Sequence, residues 1–218
     1  MTDADGQRDL SAKYDALASG YSSRYAAPEL VSGFFVRVVR SWGREIPAGS
    51  SVLELGCADG FMTEALVRAG FSVTAIDLSA QMIEVAGRRL GESGLSAELS
   101  VGNIDTLESD RSWDVVLGAM WTFFAYAENA PVTLARLRRS CRAKLIVDVD
   151  PRRYTVERAE AEVRGAGFGR TAVRPVAVPQ GVSLGRLGTR AFEGALRIPP
   201  IRAAILRRKL NMAVLGLP

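Results

Sequence analysis

The chain has 218 residues, 48% hydrophobic and 24% charged, the balance of one globular domain with a sizeable core rather than of two domains or a disordered chain. It contains no histidine, which removes the commonest general base, the imidazole-dependent triads and most transition-metal sites. Two cysteines, Cys57 and Cys141, make no disulfide framework and have no metal-ligand spacing around them. The polar start "MTDADGQRDL" cannot form the apolar core of a secretory signal, and no apolar run reaches bilayer length, so a cytoplasmic protein is expected. The net charge of +4 is uneven: after Glu162 the sole acid is Glu193, against a series of basic residues from Arg164 to Lys209. A solvated basic face explains this more simply than an anionic partner does.

In chain order, "SAKYDALASGYSSRYAAPELVSGFFVRVVRSWGREIP" predicts two helices broken near Gly20 and Pro28, within an N-terminal helical cap over residues 1–48. "SVLELG" (Ser51 to Gly56) reads as a buried strand, and "FMTEALVRAG" (Phe61 to Gly70) as a helix closed by glycine. "FSVTAID" (Phe71 to Asp77) is the next strand, followed by a helix that Ser79 caps and Gly91 or Gly94 ends. A short strand follows at "AELSVG" (Ala97 to Gly102). "WDVVLGAM" (Trp113 to Met120) and "AKLIVDVD" (Ala143 to Asp150) are two more, separated by the helical "APVTLARLRRSCR". A helix from Val156, the turn "GAGFG", a strand "TAVRPVAVP" (Thr171 to Pro179) and a last strand "MAVLGLP" complete the pattern. Strands alternating with helices predict an α/β fold, a parallel sheet with helices on both faces. Residues 180–210, basic and interrupted by Pro199 and Pro200, read as a helical insertion between the last two strands that covers the sheet as a candidate lid.

Ligands of such sheets bind in the crevice outside the carboxyl ends of the strands. In "VLELGCADG", Gly56 and Gly60 remove Cβ atoms so that a ligand can lie against the backbone, and Ala58 keeps that approach open. An ordinary strand–helix turn would account for the glycines equally well. Glu54 suits a ligand bearing hydrogen-bond donors or positive charge. A dinucleotide turn would read G-x-G-x-x-G; here methionine holds the last position, and Glu54 with Asp59 would repel a pyrophosphate. Asp77, ending the second strand, can accept hydrogen bonds from both hydroxyls of a ribose, and Asn103 stands where an amide could pair with an adenine edge.

In "VLELGCADGFMTEAL", "VTAIDLSAQMIEVA", "VGNIDTL", "WDVVLGAM" and "AKLIVDVD", taken in this order and spacing, the chain resembles the class I, Rossmann-like methyltransferases that use S-adenosylmethionine. The likeness covers roughly residues 50–150 as the cofactor-binding core, and "YDALASGY" is similar to the family's N-terminal cap. The resemblance implies an open, doubly wound sheet of seven strands, mostly parallel, the last antiparallel. It implies that Gly56, Cys57, Ala58 and Gly60 line the methionine part of the cofactor, with Glu54 near its ammonium. Asp77 would hold the ribose, Leu78 would flank the adenine, Asn103 with Ile104 would meet its edge, and Met82 would be among the cofactor-binding residues. The family usually has aspartate at Asn103, and an amide can still accept a bond from the adenine amine. Met120 and Trp121 would reach the reacting centre. Tyr14 and Tyr21, spaced with Tyr25 for one helix face, are either core or a cover over the cofactor.

With the methyl already activated on a sulfonium, the protein mainly aligns an acceptor, and alignment alone contributes about 7–11 kcal/mol. A general base is needed only if the acceptor must lose a proton, and without histidine the candidates are carboxylates or tyrosines. Asp148 and Asp150 share one side of a strand and are the expected base, although strand-end hydrogen bonding explains them as readily. The fourth strand ends in "LGAM", without an acid to complete a metal site, so a metal-independent enzyme is expected. The aromatics of "AMWTFFAYA", Trp121, Phe124 and Tyr126 among them, are core or the wall of an acceptor pocket. The expected acceptor is a small, partly apolar or aromatic molecule of secondary metabolism, antibiotic biosynthesis included, and not a nucleic acid. A membrane lipid or lipid-linked sugar is the nearest alternative, followed by a nucleotide-dependent oxidoreductase and a non-catalytic binding module. Oligomeric state stays open, a homodimer included.

Overall fold

Strands buried on both faces have no solvent side to alternate with, so they read as near-continuous apolar runs. In the computed structural model of the chain, β1 (Ser51–Leu55), β4 (Trp113–Gly118) and β5 (Cys141–Val149) are such strands, with almost every side chain buried. The structure describes residues 4–18, 20–22, 28–107, 110–120, 122–150, 154–176, 198, 200 and 212–218. β2 (Ser72–Asp77), β3 (Glu98–Val101), β6 (Arg170–Pro175) and β7 (Met212–Leu217) complete a seven-stranded sheet in the order β3-β2-β1-β4-β5-β7-β6. All pairs from β3 to β5 are parallel, and β7 runs antiparallel to both β5 and β6. This is the expected sheet. From β1 the chain winds outward to β3 and then returns to β4, so the strand order reverses between β1 and β4, where a crevice opens at the carboxyl ends.

Two apolar layers hold the sheet. On one face α2 (Pro28–Ser41) and α3 (Phe61–Arg68) pack Phe34, Val38, Met62 and Leu66 against Val52, Leu117 and Ile146. On the other, α5 (Thr122–Tyr126), α6 (Ala130–Ser140) and α7 (Val156–Gly165) pack Phe123, Leu134 and Val163 against Leu53, Val116 and Leu145. α4 (Ala80–Glu92) starts as expected at Ser79, whose Oγ accepts from Met82 N at 3.0 Å. α1 (Ala4–Leu17) ends before Gly20, so Tyr14 and Tyr21 do not share the helix that their spacing suggested. Their rings still meet edge to face, with centroids 6.2 Å apart, through the intervening turn. Tyr25 and the expected lid at 180–210, apart from Ile198 and Pro200, lie outside the described residues. No helix among the described residues is long and apolar enough to cross a membrane.

The amino edge of the sheet is tied by charge. Lys144, fully buried in β5, donates to the carbonyls of Val39 at 2.9 Å, Trp42 at 2.7 Å and Arg44. Those acceptors lie in the last turn of α2 and just beyond it, where carbonyls lack helical partners. Burial pulls the ammonium down to about 8. No role for Lys144 is visible in the run "AKLIVDVD".

Candidate active site

The turn from β1 to α3 is pinned to β2 by its own backbone. Gly56 N and Cys57 N both donate to Ile76 O, at 2.8 and 3.0 Å, and Ala58 N donates to Asp77 Oδ2 at 2.8 Å. Ser79 N reaches Asp77 Oδ1 at 2.9 Å, so one carboxylate knits together the turns after β1 and β2. Gly56, Ala58 and Gly60 all lie in the left-handed region, at φ 69°, 48° and 78°. Ala58 pays about 1 kcal/mol or more there, as does Met120 at φ 60° after β4. Strained non-glycine residues thus flank the crevice on both sides.

The glycines answer to the protein's own packing. A Cβ on Gly56 would stand 2.3 Å from Thr122 Cγ2 of α5, and one on Gly60 2.8 Å from Ala86 Cβ of α4. Close helix packing is thus a reason for these glycines besides the expected one, space for a ligand against the backbone. Asp59 also departs from expectation. It is 1% exposed, paired to Arg89 at 2.9 Å and bonded by Ser22 N at 3.0 Å, so its charge is compensated and does not repel a phosphate. What still disfavours a pyrophosphate is the filled position of Met62, the side chain of Ala58 and the acids Glu54 and Asp77.

Glu54 is 3% exposed and accepts from Thr63 Oγ1 at 2.7 Å; burial pushes its carboxyl up to about 8. Burial also raises Asp77, against the bonds from Ser79, Ala58 and Leu78 that favour its charged form. Each Asp77 oxygen keeps a further lone pair. The donor set thus fits S-adenosylmethionine. Glu54 can meet an ammonium and Asp77 a pair of hydroxyls, with no lysine or arginine on the turn to attract a phosphate.

The remaining expected contacts divide. Met82, expected among the cofactor-binding residues, is fully buried at the start of α4. Cys57 and Ile104 are buried in the apolar layers, and the Cys57 thiol turns to Ala58 O. Leu78 and Asn103 are half-buried at the ends of β2 and β3, and Asn103 Oδ1 already accepts from Asp105 N at 2.8 Å. That bond turns the Asn103 oxygen into its own loop, leaving one lone pair and the amide donors for a ligand. Trp121 lies outside the described residues.

Beyond β4 the aromatics do gather. Phe124 stacks on Tyr154 at 4.6 Å, with the Arg158 guanidinium 4.6 Å over the same ring. Tyr154 lies just after β5, and its "Y-T-V-E" setting carried no signal beyond a helix start. The Tyr126 hydroxyl meets that of Tyr14, whose rings lie 5.8 Å apart. The register pairs Glu54 with Leu117 and Leu117 with Ile146, so Asp148 lies on the Glu54 face one pleat nearer the carboxyl edge. Asp148 and Asp150 are buried, 1% and 6% exposed. Among the described residues no three carboxylates or thiols group to hold a metal.

Residues 52–144 match the family described as methyltransferase domain. A ubiquinone biosynthesis O-methyltransferase of Xanthomonas axonopodis pv. citri is 38% identical over 94 residues, 42% of this chain and 37% of that relative. The chain spans less than half the length of the curated relatives it matches. Among solved structures, an S-adenosylmethionine-dependent methyltransferase from Clostridium acetobutylicum superposes with TM-score 0.63 at 12% identity, over 94% of this chain and 98% of that one. The cyclase SpnF superposes with TM-score 0.64 at 15% identity, over 97% of each chain. Such identities carry the fold alone. The fold is that of the Rossmann-like methyltransferases. Residues 52–144 are thus similar to a methyltransferase domain, and the fold around them is the one shared with S-adenosylmethionine-dependent methyltransferases.

Proposed function

We propose that this chain transfers a methyl group from S-adenosylmethionine to an oxygen or nitrogen of a small, partly apolar or aromatic acceptor. The observation that carries the acceptor class is the meeting of Phe124, Tyr126 and Tyr154 beside a crevice edged by buried carboxyls. The match to a relative named for O-methylation in ubiquinone biosynthesis supports oxygen as the receiving atom. An acceptor of secondary metabolism is compatible with the same wall.

Bound S-adenosylmethionine supplies a methyl already activated on a sulfonium. The chain's own residues do the rest. Asp77 accepts from the ribose hydroxyls, and Glu54 holds the ammonium. Phe124 and Tyr154 stack the acceptor and exclude water. Asp148 or Asp150 takes the acceptor's proton after the site loosens enough to expose it.

Titration calorimetry is expected to show S-adenosylmethionine and its demethylated product binding, and NAD not binding. Asp77→Ala is expected to weaken that binding by about 1.5–3 kcal/mol. Mass spectrometry of a phenolic acceptor pool should then find products one methyl heavier. Tight NAD binding, or turnover that leaves the acceptor's mass unchanged, would refute the proposal. Since SpnF shares this fold and is a cyclase, the second outcome is a real alternative.

A further inference from the structure

Asp105, a residue of "VGNIDTL" with no expected role, joins the two sides of the crevice. It stands in the loop after β3, and its side chain bonds the segment that follows β4. Asp105 Oδ2 accepts from Glu128 N at 2.9 Å, and Oδ1 accepts from Thr133 Oγ1 early in α6. Asp105 N in turn donates to Asn103 Oδ1 at 2.8 Å. In the sheet β2 and β1 lie between β3 and β4, so these bonds pass from one side of the strand-order reversal to the other. Apolar packing follows the same line. Ile104 and Leu107 of the loop seat in the layer that holds Phe124, Tyr126 and Leu134.

Resting on the proposed function, we infer that Asp105 is a positioning residue that couples the cofactor to the acceptor wall. A ligand that meets the amide donors of Asn103 fixes the loop after β3. Asp105 passes that order to Glu128, two residues beyond Tyr126, and so to the wall that Tyr126 shares with Phe124. Ordering one segment then makes ordering the other less costly, so cofactor and acceptor favour each other's binding without a change of fold. A simpler role would be a carboxylate that steadies the amino end of α6. Asn129 already serves there, its Oδ1 accepting from Val132 N at 3.3 Å. Its bond leaves Glu128 N and Thr133 Oγ1 to another acceptor, and Asp105 brings one from beyond β1 and β2.

The test is amide hydrogen exchange of the full chain, read by mass spectrometry with and without S-adenosylhomocysteine. In the wild type this ligand is expected to slow exchange about fivefold or more, both in the turn at 56–60 and in residues 123–129. In Asp105→Ala the slowing should persist in the turn and fall to within about twofold of none in residues 123–129. Asp105→Asn and Thr133→Val, each of which keeps one of the two bonds, should fall between. Asn129→Ala, which removes the cap of α6, should lower the urea midpoint and keep the slowing at 123–129. Slowing there that survives in Asp105→Ala, or that is missing from a wild type whose turn responds, would overturn the coupling and leave methyl transfer standing. Its loss in Asn129→Ala as well would reduce Asp105 to steadying α6 and overturn the coupling too. A wild-type chain that binds no S-adenosylhomocysteine would overturn the proposed function and the coupling with it.

Discussion

The two edges of one sheet are built to opposite rules. At the amino edge charge is matched, on the half-exposed Asp114 as on the buried Lys144. Asp114 accepts from Ser51 N at 2.8 Å, Arg142 bonds Asp114 at 3.1 Å, and three carbonyls surround Lys144. The bonds from Ser51 and Arg142 outweigh desolvation and hold the Asp114 carboxyl below its ordinary value, so this acid gains from its charge, whereas burial still costs Lys144 part of its own. Trp113 Nε1, buried without a hydrogen-bond partner, is the exception there. At the carboxyl edge Ala58 and Met120 are strained, burial raises Glu54 and Asp77, and the buried Asp59 Oδ1 lacks a partner. A carboxylate raised by burial costs stability when ionised, and a ligand that meets it returns that energy as binding. On the proposed function, the amino edge serves folding and the carboxyl edge serves a ligand.

The sharpest way to break this contrast is at Gly56. Gly56→Val combines a left-handed φ with a collision against Thr122 and is expected to cost about 4 kcal/mol of stability in urea unfolding. Adding Thr122→Ala should return about 1–2 kcal/mol of it by removing the collision and leaving the strain. No recovery would mean that Gly56 answers to ligand space after all, and the carboxyl edge would be functional through and through.

Lys144→Met tests the other edge. It leaves three carbonyls without their donor and should lower stability by about 3 kcal/mol, while cofactor affinity stays within about twofold. A comparable loss of affinity would show that the two edges are coupled through β5.

Glu54 gives the smallest and most diagnostic effect. Its carboxyl ionises near 4.5 when unfolded and at about 8 when folded, so between those values the folded chain holds the extra proton. Stability must then fall as pH rises through that window, by about 2 kcal/mol from roughly pH 6 to 8. Glu54→Gln should flatten the slope and stabilise the chain at the alkaline end. The same variant should weaken cofactor binding, the stability–function opposition expected of this edge. Denaturant titrations at several pH values give the slope, and calorimetry gives the affinity.

The sequence by itself determined the sheet, its helices and the edge at which a ligand belongs. Apolar runs, β-branched strands, Ser79 before α4 and the acids ending β1 and β2 are signals written within a few residues of where they act. Period, capping and turn chemistry are all local. The tertiary structure alone decided what those residues touch. Arg89 neutralises Asp59 from 30 positions away, Tyr126 meets Tyr14 across 112, and Lys144 reaches the end of α2 across about 100. The glycines show the limit most plainly. Their motif marked the turn, but whether the missing Cβ made room for a cofactor or for Thr122 and Ala86 depended on how α5 and α4 close over it. That closure follows from strand register and packing between distant segments, which no short-range pattern encodes.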